Sequence, residues 1–117
     1  MDYSQMTDDE LNTLTATRIM GWYADIVENE WGLRFYKDGI STVMDARGWQ
    51  PTSNLNQAVM VAEEFASFFE VAYFRSGKSK YMAYVEKEPL HKHIEGRGDN
   101  PARALVIACL MAVEGEG

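Results

Sequence analysis

The segment that leads into the last predicted helix carries the residues best suited to hold an anion. It reads Gly96-Arg97-Gly98-Asp99-Asn100-Pro101, with Arg103 shortly after it. Glycines let the backbone approach a ligand, and the first amides of a helix are unpaired donors that favour anions. Arg97 and Arg103 can add a bidentate grip on phosphate. In the alternative interpretation the glycines form a turn, Asp99 or Asn100 caps the helix, and nothing binds.

The region around this segment is rich in bases, although the chain as a whole is acidic. With 11 Lys plus Arg against 18 Asp plus Glu, the formal net charge is -7 at pH 7. Residues 75–103 hold seven bases and four acids, whereas residues 1–32 hold seven acids and one base. An anion site is therefore expected in the former region, with an aromatic ring to stack on a base. The predicted ligand contacts are Arg97, Gly98, Asn100, Arg103, Arg75, Lys78, Trp22 and Tyr84.

Other reactive side chains lack the partner residues that a catalytic or metal site needs. His91 and His93 are metal-ligand types, but two histidines one residue apart on an extended segment point to opposite faces, which favours a solvated loop. Cys109 lies in the most apolar segment, which favours core packing over nucleophilic chemistry. No Gly-x-Ser-x-Gly elbow, Walker loop or dinucleotide-binding glycine motif occurs. We therefore expect no enzyme, no metal and no cofactor.

Length, composition and charge exclude several classes of protein. A chain of 117 residues, 46% of them hydrophobic, predicts one domain over residues 1–117 with a substantial core. The negative charge argues against a protein that tracks nucleic-acid phosphates. The longest apolar run, 104–113, has 10 residues, about half of the roughly 20 that span a bilayer. A single cysteine and an N-terminus without signal-peptide character predict a cytoplasmic protein.

Two helices are predicted in the first two thirds of the chain. Thr7 and Glu10 have capping-box spacing and start a helix expected over residues 8–22. Ser53 or Asn54 caps the second helix, in which apolar residues recur at helical spacing. The apolar positions of that second helix are 55, 58, 59, 62, 65 and 69.

Two hairpins are predicted between and after these helices. Residues 31–44 alternate in polarity on either side of Asp38-Gly39, a pair that type I′ turns prefer. Residues 71–75 and 80–86 are rich in aromatic and branched side chains and are separated by Ser, Gly and Lys turn residues at 76–79. Residues 88–98, with one proline and two glycines, are predicted to be a connection.

The last helix is predicted to begin at Pro101, and from Ala104 to Val113 it is apolar on every side. Such a helix is normally covered on both sides, so we expect a sheet on one side and, on the other, either further helices of the chain or a second copy of it in a homo-oligomer. The predicted fold is α+β, an α/β sandwich. An antiparallel sheet of two hairpins carries the helices, in the order helix, hairpin, helix, hairpin, helix.

Three segments of the chain resemble a known family. They are Arg18-Ile19-Met20-Gly21-Trp22, Gly48 to Ala58, and Asn100 to Leu110. The combination resembles the phage ABA sandwich domain family, small phage and prophage proteins that typically begin with a helix ending in Met-Gly-Trp and close with a small-residue helix. The resemblance covers most of the chain, but the region 25–47 departs from the family pattern. It implies a sheet layer between helices and a phage origin, and it supplies no catalytic residues.

A phage origin without catalytic machinery implies a protein that works by binding in the host. The first hypothesis is a counter-defence sponge that sequesters a small anionic, nucleotide-like immune signal of the host. The alternative is an inhibitor or adaptor whose acidic N-terminal third engages a host protein through electrostatic steering. A third is an RNA-binding module that resembles a double-stranded RNA-binding domain. In that case residues 99–102 stand where the paired lysines of such domains are expected.

Overall fold

The α+β fold class predicted from the sequence is confirmed. The computed structural model describes residues 2–27, 32–37, 41–45, 47–66, 68–73, 80–86 and 94–116. These residues form the helices α1 (Asp8–Leu14), α2 (Leu55–Phe65) and α3 (Pro101–Glu116). A 3₁₀ turn (Tyr3–Gln5) precedes α1, and a π-helical turn (Thr15–Ile19) continues it. The strands are β1 (Tyr23–Val27), β2 (Gly32–Lys37), β3 (Ser41–Asp45), β4 (Phe68–Tyr73), β5 (Tyr81–Glu86) and β6 (Ile94–Gly98).

The strands of the described residues form two antiparallel sheets, in the orders β1-β2-β3 and β4-β5-β6. Both predicted hairpins are present, as β2 with β3 and as β4 with β5. The prediction that they share one sheet was wrong, because each hairpin pairs with a further strand of its own. The turns predicted at Asp38-Gly39 and at residues 76–79 lie outside the described residues.

Strand β6 occupies part of the segment predicted to be a connection, and its glycines explain why the sequence did not reveal it. Exposed charged residues alternate along β6 with two buried glycines, Gly96 and Gly98. A β-carbon on Gly96 would collide with the backbone nitrogen of Ala108 in α3. One on Gly98 would lie 2.9 Å from the backbone nitrogen of Ala104. The glycines therefore replace apolar side chains where helix and strand approach most closely.

Polar side chains fix the starts of the helices. Thr7 Oγ1 accepts a hydrogen bond from the Glu10 amide at 3.2 Å, and the Glu10 carboxylate accepts one from the Thr7 amide at 3.3 Å. This confirms the predicted capping box. Asn54 caps α2 and Asn100 caps α3, each accepting from the amide three residues further on, at 3.2 and 2.8 Å. Of the candidates Ser53 or Asn54 for α2 and Asp99 or Asn100 for α3, the asparagine caps the helix in both cases.

The first helix does not run as a regular α-helix over residues 8–22, because an indole competes for its hydrogen bonds. Trp49 Nε1 donates to the backbone oxygen of Asn12 at 3.0 Å and to Thr15 Oγ1 at 3.1 Å. A side chain inserted into the main-chain ladder accounts for the wider π-helical turn over Thr15–Ile19. Gly21, at φ 72°, then turns the chain out of the helix and into β1, a strand that the sequence did not predict.

Helix α2 ends earlier than its apolar pattern indicated. It stops at Phe65, Ala66 is extended at φ -97° and ψ 146°, and Phe69 already lies in β4. The assignment of Phe69 to the helix was therefore wrong. Two phenylalanines four residues apart satisfy the helical period equally well when a strand begins between them, so the period alone does not reveal the end of the helix.

Helix α3 is the buried centre of the fold. Every residue from Ala104 to Leu110 is buried. The helix packs against β5 and β6, and also against α2 and the π-helical turn. Strands and helices of the chain itself thus cover α3, which was one of the two expected arrangements. Homo-oligomerisation stays a prediction, and the burial of this helix no longer supports it. Within the described ranges, no helix has the length and apolarity required to cross a membrane.

Candidate functional site

Arg103, the strongest predicted anion ligand, is held by the N-terminal segment of the chain. Its guanidinium donates to Asp8 Oδ1 at 2.5 Å, to the backbone oxygen of Met6 at 2.7 Å and to that of Ser4 at 3.4 Å. The Arg103 side chain is 16% exposed. These bonds connect the start of α3 to the start of α1, which is a structural role. Its predicted contact with an anionic ligand stays a prediction.

The neighbouring predicted ligand residues also have structural partners. The Asn100 side chain caps α3, and Gly98 lies against the backbone of Ala104. Arg97 is exposed and lines a depression of about 240 Å³. The other residues lining this depression are Asp2, Tyr3, Ser4, Glu95, Ile107 and Met111. Two carboxylates therefore share the depression with a single guanidinium, which weakens its attraction for an anion.

The remaining predicted ligand residues lie in different environments. Trp22 packs its ring edge-on against Trp49 at a centroid distance of 4.6 Å and lies 6.3 Å from the Phe35 ring. Tyr84 is half-buried at the centre of its sheet, in register with Glu70 on one side and Glu95 on the other. Neither aromatic residue is among those lining the Arg97 depression. Arg75 and Lys78 lie outside the described residues.

The side chains considered for catalysis do not form a centre in the described part of the chain. His91 and His93 lie outside the described residues. Among the residues that are described, no group of three or more His, Cys, Asp and Glu side chains is placed to hold a metal ion. Cys109 is fully buried, and burial raises the pKa of its thiol to about 12. The Cys109 thiol is therefore protonated at neutral pH, in keeping with the core role predicted for it.

An open, mainly apolar depression lies on α1, a surface that contains none of the predicted ligand residues. It measures about 420 Å³ and is lined by Met6, Asp9, Glu10, Thr13 and Leu14. Asp9 and Glu10 are exposed, whereas the other lining residues are half-buried. The sequence signal was present in the acidic run at residues 8–10, which belongs to the acidic N-terminal third that the alternative hypothesis assigns to partner binding, but no apolar depression was predicted beside it.

A second depression, of about 280 Å³, adjoins the first and shares Asp9 and Thr13 with it. Its wall includes a hydrogen-bonded network around Asn12, whose side chain donates to Gln50 Oε1 at 3.1 Å and accepts from the Thr52 amide at 3.0 Å. The Trp49 ring also lines it but is fully buried, so it presents no face for stacking.

Two of the three segments that carry the family resemblance meet beside this second depression. Trp22, from the first segment, contacts Trp49, from the second. Within the second segment, Gln57 Oε1 accepts from the Gln50 amide at 2.6 Å, and Gln57 Nε2 donates to the Gly48 carbonyl at 2.8 Å. These contacts join the loop before α2 to the end of the first helix. Both segments therefore have a structural role.

Comparison with known proteins relates the fold to a phage protein. No protein-family model and no curated protein sequence matches the chain. A solved structure described as a phage protein from Bacillus cereus superposes with a TM-score of 0.72. The match covers 97% of this chain and 94% of that one, at 20% sequence identity. At this identity the similarity shows that the two chains share a fold.

Proposed function

We propose that the chain is a phage-encoded binding protein that acts without catalysing a reaction and engages a basic surface of a host protein in the host cytoplasm. The fold shared with a phage protein supports the phage origin. So does the resemblance to the phage ABA sandwich domain family, two of whose characteristic segments pack together here. In this proposal the protein inhibits or redirects its partner by covering it, as part of phage counter-defence.

The observation that carries the proposal is the exposed acidic face of α1. The fold holds the carboxylates of Asp8, Asp9 and Glu10 together in one helical turn, and all three residues are exposed. Arg103 pairs with Asp8. The Glu10 carboxylate accepts from Thr7 in the capping box, and Asp9 and Glu10 both stay exposed and line the same depression. A net charge of -7 extends this potential beyond the contact surface and accelerates encounter with a basic partner.

A second candidate function is sequestration of a small anionic, nucleotide-like signal. The exposed guanidinium of Arg97 in its own depression favours it. The carboxylates of Asp2 and Glu95 beside Arg97, and the structural bonds of Arg103, count against it. We therefore rank it below the protein partner.

Affinity capture from host lysate, with mass spectrometry of both proteins and small molecules, distinguishes the two candidates. The test variant is Asp9→Asn with Glu10→Gln, in which glutamine can still complete the capping box. The matched control is Glu63→Gln with Glu64→Gln on α2, which removes the same charge from exposed positions elsewhere.

We expect the unmodified chain and the control variant to capture a host protein in stoichiometric amount. The Asp9 and Glu10 variant should not capture it, and high salt should release it from the unmodified chain. Equal capture by all three proteins would reject the acidic face of α1 as the binding surface. A nucleotide released from the unmodified chain but not from Arg97→Ala would instead establish the sequestration hypothesis.

A further inference from the structure

The depression between Met6 and Leu14 indicates what kind of basic partner the acidic face selects. Resting on the proposed function, we infer that it receives a bulky apolar side chain from a basic amphipathic helix of the partner. The Lys and Arg residues of that helix would flank the apolar anchor and face Asp9 and Glu10. This is the mode in which a helix lays its apolar stripe into a groove, with charges at the rim.

The depression has one wall on α1 and another on the segment before it. Thr13 and Leu14 lie one turn after Asp9 and Glu10, so the four side chains form one strip of the helix surface. Met6 closes the strip from the preceding turn. Because Arg103 donates to the Met6 carbonyl at 2.7 Å, the backbone of this wall is tied to α3. A wall held in place before binding costs less conformational entropy when a ligand arrives.

The chemistry of the lining selects among the possible occupants. The surface of the depression is mainly apolar, and its lining combines the apolar residues Met6 and Leu14 with two acidic residues. A nucleic acid or an anionic lipid surface would bring negative charge to these carboxylates. A second copy docked through the same patch would bring an identical acidic strip. A partner that combines cations with a large apolar side chain satisfies both parts of the surface.

The inference is tested with a labelled synthetic peptide in which Leu and Lys repeat at helical spacing, titrated with the full chain and followed by fluorescence anisotropy. The control peptide keeps every Lys and replaces each Leu with Ser. We expect the Leu-containing peptide to bind about tenfold more tightly than the control. Equal affinities would overturn the inference, because they would show attraction by charge alone.

Variants locate the anchor on the surface. Met6→Ala widens the depression, and Thr13→Gln fills it without changing the charge. Each should weaken binding of the Leu peptide by about tenfold and leave binding of the Ser peptide within about twofold. Met60→Ala is the matched control, since Met60 is 45% exposed on α2. An equal loss with Met60→Ala would overturn the assignment. As a readout that needs no folded variant, the methyl resonance of Met6 in the unmodified chain should shift on titration, and an unchanged resonance would contradict the inference.

Failure of this inference and failure of the proposed function give different results. If the Asp9 and Glu10 variant loses the host protein but the two peptides bind equally, the acidic surface functions and the apolar anchor is rejected. If that variant retains the host protein, the acidic surface is rejected together with the anchor.

Discussion

The start of α3 and the exposed face of α1 both place charged residues at the beginning of a helix, and the fold uses them differently. At α3, Arg103 is engaged by Asp8 and by backbone carbonyls, and Asn100 caps the helix. At α1, Asp9 and Glu10 stay exposed beside an apolar depression. Suitable residues at a helix start therefore do not define a binding site by themselves, because their availability depends on what the rest of the chain brings to them.

The largest expected effect tests whether the glycines near α3 serve packing. Gly96→Ala should lower the free energy of unfolding by about 3 kcal/mol, because the new methyl group meets the backbone of α3, which cannot yield as a flexible side chain would. Gly21→Ala, at φ 72° with open space around it, should cost about 1 kcal/mol. Urea denaturation measures both. A smaller loss for Gly96→Ala than for Gly21→Ala would contradict close packing of β6 on α3.

The next effect separates a structural arginine from an exposed one. Arg103→Ala should lower the free energy of unfolding by about 2 kcal/mol, because it removes charge-assisted bonds to Asp8 and to the Met6 carbonyl. Arg97→Ala should change it by less than about 0.5 kcal/mol, since Arg97 is exposed. Hydrogen exchange should also rise in residues 4–8 of Arg103→Ala only. Equal stability of the two variants would contradict the structural role assigned to Arg103.

Local patterns predicted those parts of the fold that depend on local chemistry. The capping box at Thr7 and both predicted hairpins were recognisable because caps and strand alternation leave their signature in adjacent residues. Strand β6 was not predicted because Gly96 and Gly98 occupy the buried positions where a strand usually carries apolar side chains. Those glycines are required by the close approach of α3, which the sequence of β6 does not show. The π-helical turn was not predicted either, because it also depends on a distant contact. Its cause, Trp49, is 37 residues away from Asn12 in the sequence.

The candidate site could be predicted less completely than the fold. The sequence identified the charges at both helix starts, but nothing near Arg103 in the sequence indicates that the N-terminal segment would reach it. The depression on α1 combines Met6, which precedes the helix, with Leu14 within it. A helical pattern that starts at the cap does not include Met6. A site that combines charged and apolar residues from different elements can be recognised only once the tertiary contacts are known.

The interior of α3 should respond to alkaline pH. In the unfolded chain the Cys109 thiol ionises near its ordinary pKa of 9.0, whereas burial raises the pKa in the folded chain to about 12. Unfolding therefore releases a proton above pH 9, and stability falls as pH rises through this window. Between pH 7 and pH 10, ionisation of this thiol in the unfolded chain should lower the free energy of unfolding by roughly 1 kcal/mol.

Cys109→Ala is the control for this alkaline effect. Its stability should fall less between pH 7 and pH 10 than that of the unmodified chain, although other groups, including Tyr3 with its raised pKa, titrate in both proteins. Urea denaturation at the two pH values measures the difference. Parallel curves for the two proteins would show that the thiol is not in a desolvated environment.

The smallest expected effect on stability tests whether the position of an acidic pair matters, and not only the net charge of the chain. Asp9→Asn with Glu10→Gln removes carboxylates from the first turn of α1, where the helix dipole favours them, and should cost about 0.5 kcal/mol. Glu63→Gln with Glu64→Gln removes them from the last turn of α2, where the dipole disfavours them, and should add a few tenths of a kcal/mol, about 0.3. Urea denaturation at low salt measures both, and high salt should shrink both differences.

The signs of the two changes separate two explanations. If both double substitutions stabilise the chain, relief of its overall negative charge outweighs the interaction with the helix dipole, and the acidic turn of α1 costs stability. Opposite signs would show instead that the fold itself favours the acids on α1. A loss of only about 0.5 kcal/mol would leave the first variant folded, so that its loss of partner binding would come from the surface and not from unfolding.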